Sequence, residues 1–199
     1  MKILNIAAGK KSLTHLPELR FLVNLDKCYY YTSSEQHVEL QSHLYDQREK
    51  TESQEYHIKT DAFEFMERGK ILFDVIMSYR FLEHVPKDKV LYFIYLMSSC
   101  LKYNGEVDIV VPDYQKLASM IINEKVGEKN GELEWEAHDI LLTTEIVNET
   151  SDPHASIWTR DRLKYFFELE GRFKTINIQS DYEYDGRDIY IRYMGKKVK

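Results

Sequence analysis

Residues Leu72 to Tyr114 read LFDVIMSYRFLEHVPKDKVLYFIYLMSSCLKYNGEVDIVVPDY, and they spell out one complete βαβ crossover. Phe73 to Ser78 is an apolar run, the pattern of a strand buried on both faces of a parallel sheet. From Lys87 to Tyr103 apolar residues return at Val90, Ile94, Met97 and Leu101, with Phe93 and Cys100 beside them. That is helical spacing. Asn104-Gly105 predicts a helix stop in the left-handed position, and Val107 to Val111 a second buried strand. One edge of the unit gathers Tyr79, Arg80, Glu83, His84, Asp113 and Tyr114. Open α/β sheets bind their ligands at that edge, outside the carboxyl ends of the strands.

The flanking sequence extends the same alternation. KILNI, residues 2–6, predicts a strand that feeds the small residues Ala7-Ala8-Gly9, and FLVNLD, 21–26, a strand that ends on a carboxylate. A short helix fits between them, Leu13 to Leu19. Ser33 with Gln36 resembles a capping box and would open a polar, peripheral helix reaching about Arg48. EYHIK, 55–59, is a weaker strand, followed by Asp61 and a short helix with Phe63, Phe65 and Met66. Two moderate helices, roughly 115–124 and 133–147, flank the polar run GEKNGE. Thr159 caps an amphipathic helix bearing Leu163, Phe166 and Phe167, which ends before Gly171. The chain closes with two alternating segments around Asp185-Gly186, an antiparallel hairpin. Strands alternating with helices and closed by a hairpin predict a three-layer α/β sandwich.

Bulk properties set limits. The 199 residues suit a single domain, spanning 1–199, with 115–153 as a substrate-covering insertion. A 43% hydrophobic and 30% charged composition is that of a soluble globular protein, and a formal net charge of −6 argues against a nucleic-acid backbone or an anionic membrane as main partner. Cys28 and Cys100 lie far apart in apolar or aromatic surroundings, which predicts reduced thiols rather than a disulfide framework or a metal site. The apolar run in MKILNIAAGKK is too short for a signal peptide, and no stretch approaches a membrane helix, so a cytoplasmic location is expected.

The ordered motifs resemble one family, the class I S-adenosylmethionine (SAM)-dependent methyltransferases, in their type 11-like form. Its glycine loop LNLGCG is similar to LNIAAG here, and its NLD strand end to Val23-Asn24-Leu25-Asp26. An Asp opening a short helix after strand three corresponds to Asp61, and the LEH triplet to Leu82-Glu83-His84. LKPGG followed by VPD corresponds to LKYNG and Val111-Pro112-Asp113. His154, Trp158-Thr159 and Gly171-Arg172-Phe173 match a later family pattern. The resemblance covers nearly the whole chain. It implies a Rossmann-like, mostly parallel seven-stranded sheet with one antiparallel strand from the C-terminal hairpin. It also implies SAM as cofactor, held by the Ile6-Ala7-Ala8-Gly9 loop, by Asp26 on the ribose, by Asp61 near the adenine, and by Ser78 and Tyr79.

Methyl transfer from a sulfonium is an in-line displacement, so the protein mainly positions an acceptor and removes its proton. His154, His84 and Asp113 are the candidate catalytic groups. His154 follows Asp152-Pro153 in a rigid loop, and loops carry catalytic groups, with a loop-ordering hydrogen bond as the plainer explanation. Arg80, Tyr114 and His138 are candidate acceptor contacts, Arg80 holding an anionic group or pairing with Glu83. The expected reaction is methylation of a small-molecule or glycan-like acceptor. Two alternatives stay open. Ala7 stands at the first glycine position and Lys10-Lys11 follow the loop, which also suits an inactive methyltransferase-like interaction subunit or a Rossmann-like nucleotide binder. The His and Cys spacings match no zinc pattern, and there is no Walker loop and no GxSxG elbow.

Overall fold

The computed structural model of the chain describes residues 1–6, 21–26, 54–59, 61–69, 71–122, 155–169, 171–184 and 187–199. The described strands are β1 (Lys2–Ile6), β2 (Phe21–Asp26), β3 (Gln54–Lys59), β4 (Phe73–Tyr79), β5 (Leu101–Pro112), β6 (Phe173–Tyr184) and β7 (Arg187–Lys197). The helices are α1 (Ala62–Arg68), α2 (Val90–Cys100), α3 (Tyr114–Ile122) and α4 (Arg160–Glu168), with 3-10 turns at Leu82–His84 and Lys87–Lys89. The strands form a mixed sheet in the order β3-β2-β1-β4-β5-β7-β6. β7 runs antiparallel to both of its neighbours, and the pairings among β1 to β5 are parallel. The strand order reverses between β1 and β4. Open α/β sheets place their ligand crevice at such a switch point.

Alternation along the strands makes two unlike faces. Leu4, Ile6, Ile76, Val107, Ile109, Val111, Ile191 and Tyr193 join Phe93 and Met97 of α2 and Leu163 and Phe167 of α4 in one buried cluster. Each such side chain contributes about 1.5–3 kcal/mol by leaving water. On the other face Val110, Leu117, Ile189 and Tyr190 form a smaller cluster, with Tyr79, Tyr182, Tyr184 and Met120 packed against it. Among the described residues no helix is long and apolar enough to cross a membrane.

Local chemistry sets the helix ends. Asp61 opens α1 by accepting from the N–H groups of Phe63 and Glu64 at 2.9 and 3.3 Å. Thr159 opens α4 through the Arg162 N–H at 3.3 Å. Lys197 Nζ reaches back from β7 to the carbonyls of Ser98 and Leu101 at 2.7 and 2.8 Å, closing the end of α2. Cys100 is a buried free thiol, as expected, and burial pushes it up to about 11. Cys28, the helices expected at 13–19 and 33–48, the one at 133–147, and the Asp185-Gly186 turn lie outside the described residues.

The crossover departs from its sequence pattern at one point. The helix does not continue to Tyr103: it ends at Cys100, and Leu101 is already extended and paired with Phe73. The left-handed residue is Asn104, with φ 63°, inside the β5 run, where the β4–β5 register shifts between Phe73 and Val75. Gly105 answers a different demand. A Cβ there would lie 3.0 Å from the Lys102 carbonyl and 3.1 Å from the Asp74 carbonyl, so a side chain would press on two backbone groups of the bend.

Candidate functional site

The sheet brings the expected positions to neighbouring strand exits. Ile6, the last residue of β1, pairs with Leu25 and with Ser78, so the ends of β1, β2 and β4 meet at the switch point. Asp26 ends β2 beside Lys59 of β3, and Asp61 follows β3 directly. The exits of β4 and β5 are joined by the Arg80 N–H, which donates to the Val110 carbonyl at 2.8 Å. Ala7, Ala8, Gly9, His138 and His154 lie outside the described residues.

Several candidates carry defined structural duties. Asp61 caps α1, as above. Asp113 is buried, and its Oδ1 accepts from the N–H groups of Gln115 and Lys116 at 3.0 and 3.2 Å, which opens α3. Its own N–H donates to the Ile189 carbonyl at 2.9 Å. Tyr79 turns toward the smaller cluster. Its hydroxyl donates to Asp108 Oδ2 at 2.7 Å, and Arg192 grips the same carboxylate through Nε and Nη2 at 2.9 and 2.7 Å. Burial and the Asp108 charge hold the Tyr79 phenol above its ordinary range. Its ring meets Tyr184 edge-on, so that ring belongs to the β5–β7 side of the sheet.

The β4 exit is different. Ser78 is fully buried, and its Oγ has no hydrogen-bond partner among the described residues. Arg80 is exposed and sits at φ 57°, a left-handed conformation that strains a non-glycine residue by about 1–2 kcal/mol. Glu83 then lies in the 3-10 turn with zero exposure, and neither carboxyl oxygen has a partner among the described residues. Burial pushes its carboxyl up to about 8, its own backbone N–H and then the Arg80 charge offsetting only part of that rise. The two residues do not form the pair considered from the sequence. His84, half-buried, donates its N–H to the Phe81 carbonyl at 2.9 Å.

Residues 155–159 tie the two exits together. The N–H groups of Ala155 and Ser156 donate to the Glu83 carbonyl at 2.8 and 2.9 Å, and Ser156 Oγ reaches the Leu82 carbonyl at 3.0 Å. Tyr114 N–H donates to the Trp158 carbonyl at 3.1 Å. Tyr114 is 5% exposed, and burial followed by the Glu83 charge raises its phenol. The sequence places Glu83 at the ligand-facing edge but assigns it no catalytic or binding role. The signal was available as a lone acid between apolar Leu82 and Val85 in a tight turn, where solvent has little access. Among the described residues no group of three or more His, Cys, Asp or Glu is placed to hold a metal ion.

No family model matches the sequence, and no curated protein matches it. Solved structures do. A SAM-dependent methyltransferase from Archaeoglobus fulgidus is similar at TM-score 0.60 and 15% identity, over 98% of this chain and 86% of that one. N-methyltransferase NodS from Bradyrhizobium japonicum WM9 is similar at TM-score 0.57 and 10% identity, over 100% and 86%. The 1,6-didemethyltoxoflavin-N1-methyltransferase of Burkholderia thailandensis, solved with S-adenosylhomocysteine, is similar at 0.57 and 13%, over 100% and 71%. The fold is therefore that of the class I SAM-dependent methyltransferases. At these identities the likeness is one of fold.

Proposed function

We propose that this chain is a SAM-dependent methyltransferase acting on a small-molecule or glycan-like acceptor, built as a three-layer sandwich around a seven-stranded sheet. The observation that carries the reading is the switch point between β1 and β4, where Ile6 and Ser78 adjoin and Asp26 ends the next strand. The donor set fits the cofactor: buried Ser78 Oγ has an unused hydrogen-bonding capacity, and small residues follow β1. Ile6 to Gly9, Asp26, Asp61 and Ser78 would hold it, Tyr79 contributing through its backbone. Bound SAM supplies an electrophilic methyl group on a good leaving group. The chain's own residues then have three tasks: to place the acceptor, to exclude water and to take up a proton. Arg80 and Tyr114 border the acceptor side, and residues 115–153, with His138 and His154, would cover it. NodS and the toxoflavin enzyme are N-methyltransferases, which supports a nitrogen acceptor here.

Calorimetric titration with SAM and S-adenosylhomocysteine tests the reading directly. Saturable binding of both is expected, and no heat from either at high micromolar concentration overturns it. The inactive-subunit reading draws on the caps formed by Asp61 and Asp113, which give two of the expected polar groups a purely structural duty. Cofactor binding with no methylation of any acceptor class would favour it.

A further inference from the structure

The described carboxylates at the strand exits are not equivalent. Asp61 and Asp113 each spend an oxygen on the N–H groups of a helix start. Glu83 spends neither, although it is fully enclosed. Burying a polar group without a partner costs about 1–3 kcal/mol, and more for a charged group, so native proteins seldom leave one in that state. The fold holds it there firmly. Its main-chain carbonyl receives two N–H groups from Ala155 and Ser156, so the backbone of the turn is held in place at this residue. Ser78 Oγ at the end of β4 and Trp158 Nε1 on the returning segment are also buried without partners among the described residues. All three groups lie on segments bonded to one another at the β4 and β5 exits.

Resting on the methyltransferase reading, we propose that Glu83 is the acceptor-binding acid of this site, and that it takes the nitrogen of a primary or secondary amine. An enclosed acid and an amine suit each other electrostatically. Together they carry one proton whether it sits on oxygen or on nitrogen, so the pair as a whole adds no net charge to a site that water does not reach. The step itself is a proton transfer. The N–H bond of the bound ammonium breaks, its electron pair remains on nitrogen as the lone pair, and the proton bonds to a Glu83 carboxylate oxygen, leaving later to water. Nitrogen is thereby made nucleophilic beside the methyl donor. An alcohol gives no such balance, because it holds its proton far too tightly for a carboxylate to remove. Among the described residues the charged and titratable groups facing Glu83 are Arg80, Tyr114 and its chain neighbour His84. The segment Ala155 to Trp158 adds no ionisable side chain. The raised proton affinity of Glu83 brings it toward that of an amine, as efficient proton exchange requires.

The test uses matched probes, glucosamine against glucose and ethanolamine against ethylene glycol, with the full chain saturated by S-adenosylhomocysteine. Thermal shift should show stabilisation by an amine and none by its alcohol partner. Glu83→Gln should abolish that shift while S-adenosylhomocysteine affinity stays within twofold, which separates failure of this proposal from failure of cofactor binding. Wild-type binding should tighten as pH rises through about 8, and the Gln variant should lack that dependence. Should Glu83→Gln not fold, infrared difference spectra of wild type with and without amine decide the same question, the expected result being loss or a hydrogen-bond shift of a protonated carboxyl band on amine binding and an unchanged band overturning the assignment. Equal shifts from amine and alcohol, no amine shift at all, or an amine shift that survives Glu83→Gln would each overturn it as well.

Discussion

The exits of β4 and β5 lie side by side on one sheet and are built on opposite principles. At β5 both acid and backbone groups of the exit are engaged: Asp113 caps α3, its N–H meets Ile189, and Tyr114 N–H meets Trp158, while the Trp158 indole N–H and the Tyr190 hydroxyl have no partner among the described residues. At β4 the backbone is strained at Arg80, while Ser78 Oγ and both Glu83 oxygens lack partners among the described residues. Satisfied polar groups stabilise a fold; unsatisfied ones cost stability and persist where something else makes use of them. That contrast is what supports the proposal of an architectural β5 exit and a chemical β4 exit.

The largest effect that could break this contrast is in the pH dependence of stability. Glu83 is raised to about 8 in the folded chain from an ordinary 4.5. The folded state therefore binds more protons than the unfolded state between those values, and stability falls as pH rises through that window. The loss is on the order of 4 kcal/mol if the raised value holds throughout. Urea unfolding at pH 5 and pH 9 should show it in wild type and show it much reduced in Glu83→Gln. An equal slope in both proteins would mean that Glu83 is charged and satisfied after all. Next in size is His154, whose chain neighbour Ala155 is bonded to the Glu83 carbonyl. His154→Ala should lower turnover about 100-fold with SAM affinity nearly intact, the range of a lost acid–base group. If folding weakens and turnover holds, His154 orders its loop only.

The β5 exit should respond in stability alone. Asp113→Ala is expected to cost about 1 kcal/mol by loss of the α3 cap, measured by chemical denaturation, with turnover changed less than tenfold. A much larger fall in turnover at unchanged stability would return Asp113 to the catalytic set. The smallest effect is at Arg80. Arg80→Gly should raise stability by about 0.5 kcal/mol, relief of the left-handed strain outweighing the added freedom of the unfolded chain. Lower stability would show that the Arg80 side chain makes a favourable contact worth more than the strain.

How much of this was readable beforehand depended on range. The β4 and β5 runs, the α1 and α4 caps at Asp61 and Thr159, and the closing hairpin all follow from patterns within about ten residues, and all are present. The end of α2 was misjudged because Leu101 extends in order to pair with Phe73, a cross-strand partner that helical periodicity does not register. That the Tyr79 hydroxyl meets Asp108, gripped in turn by Arg192 on the β5–β7 side, was likewise invisible in its place at the end of a strand.

Local preference, hydrophobic period and capping are properties of neighbouring residues, so the order of strands and helices and the edge that carries the polar groups could be written down from the chain alone. Whether a polar group is satisfied is a property of everything around it. Asp113 and Glu83 are both acids just beyond a parallel strand, and nothing in their immediate sequence separates them. Only packing does. An open helix start stands ready for Asp113, whereas Glu83 is enclosed with its backbone bonded to Ala155 and Ser156 and its carboxyl without a partner among the described residues.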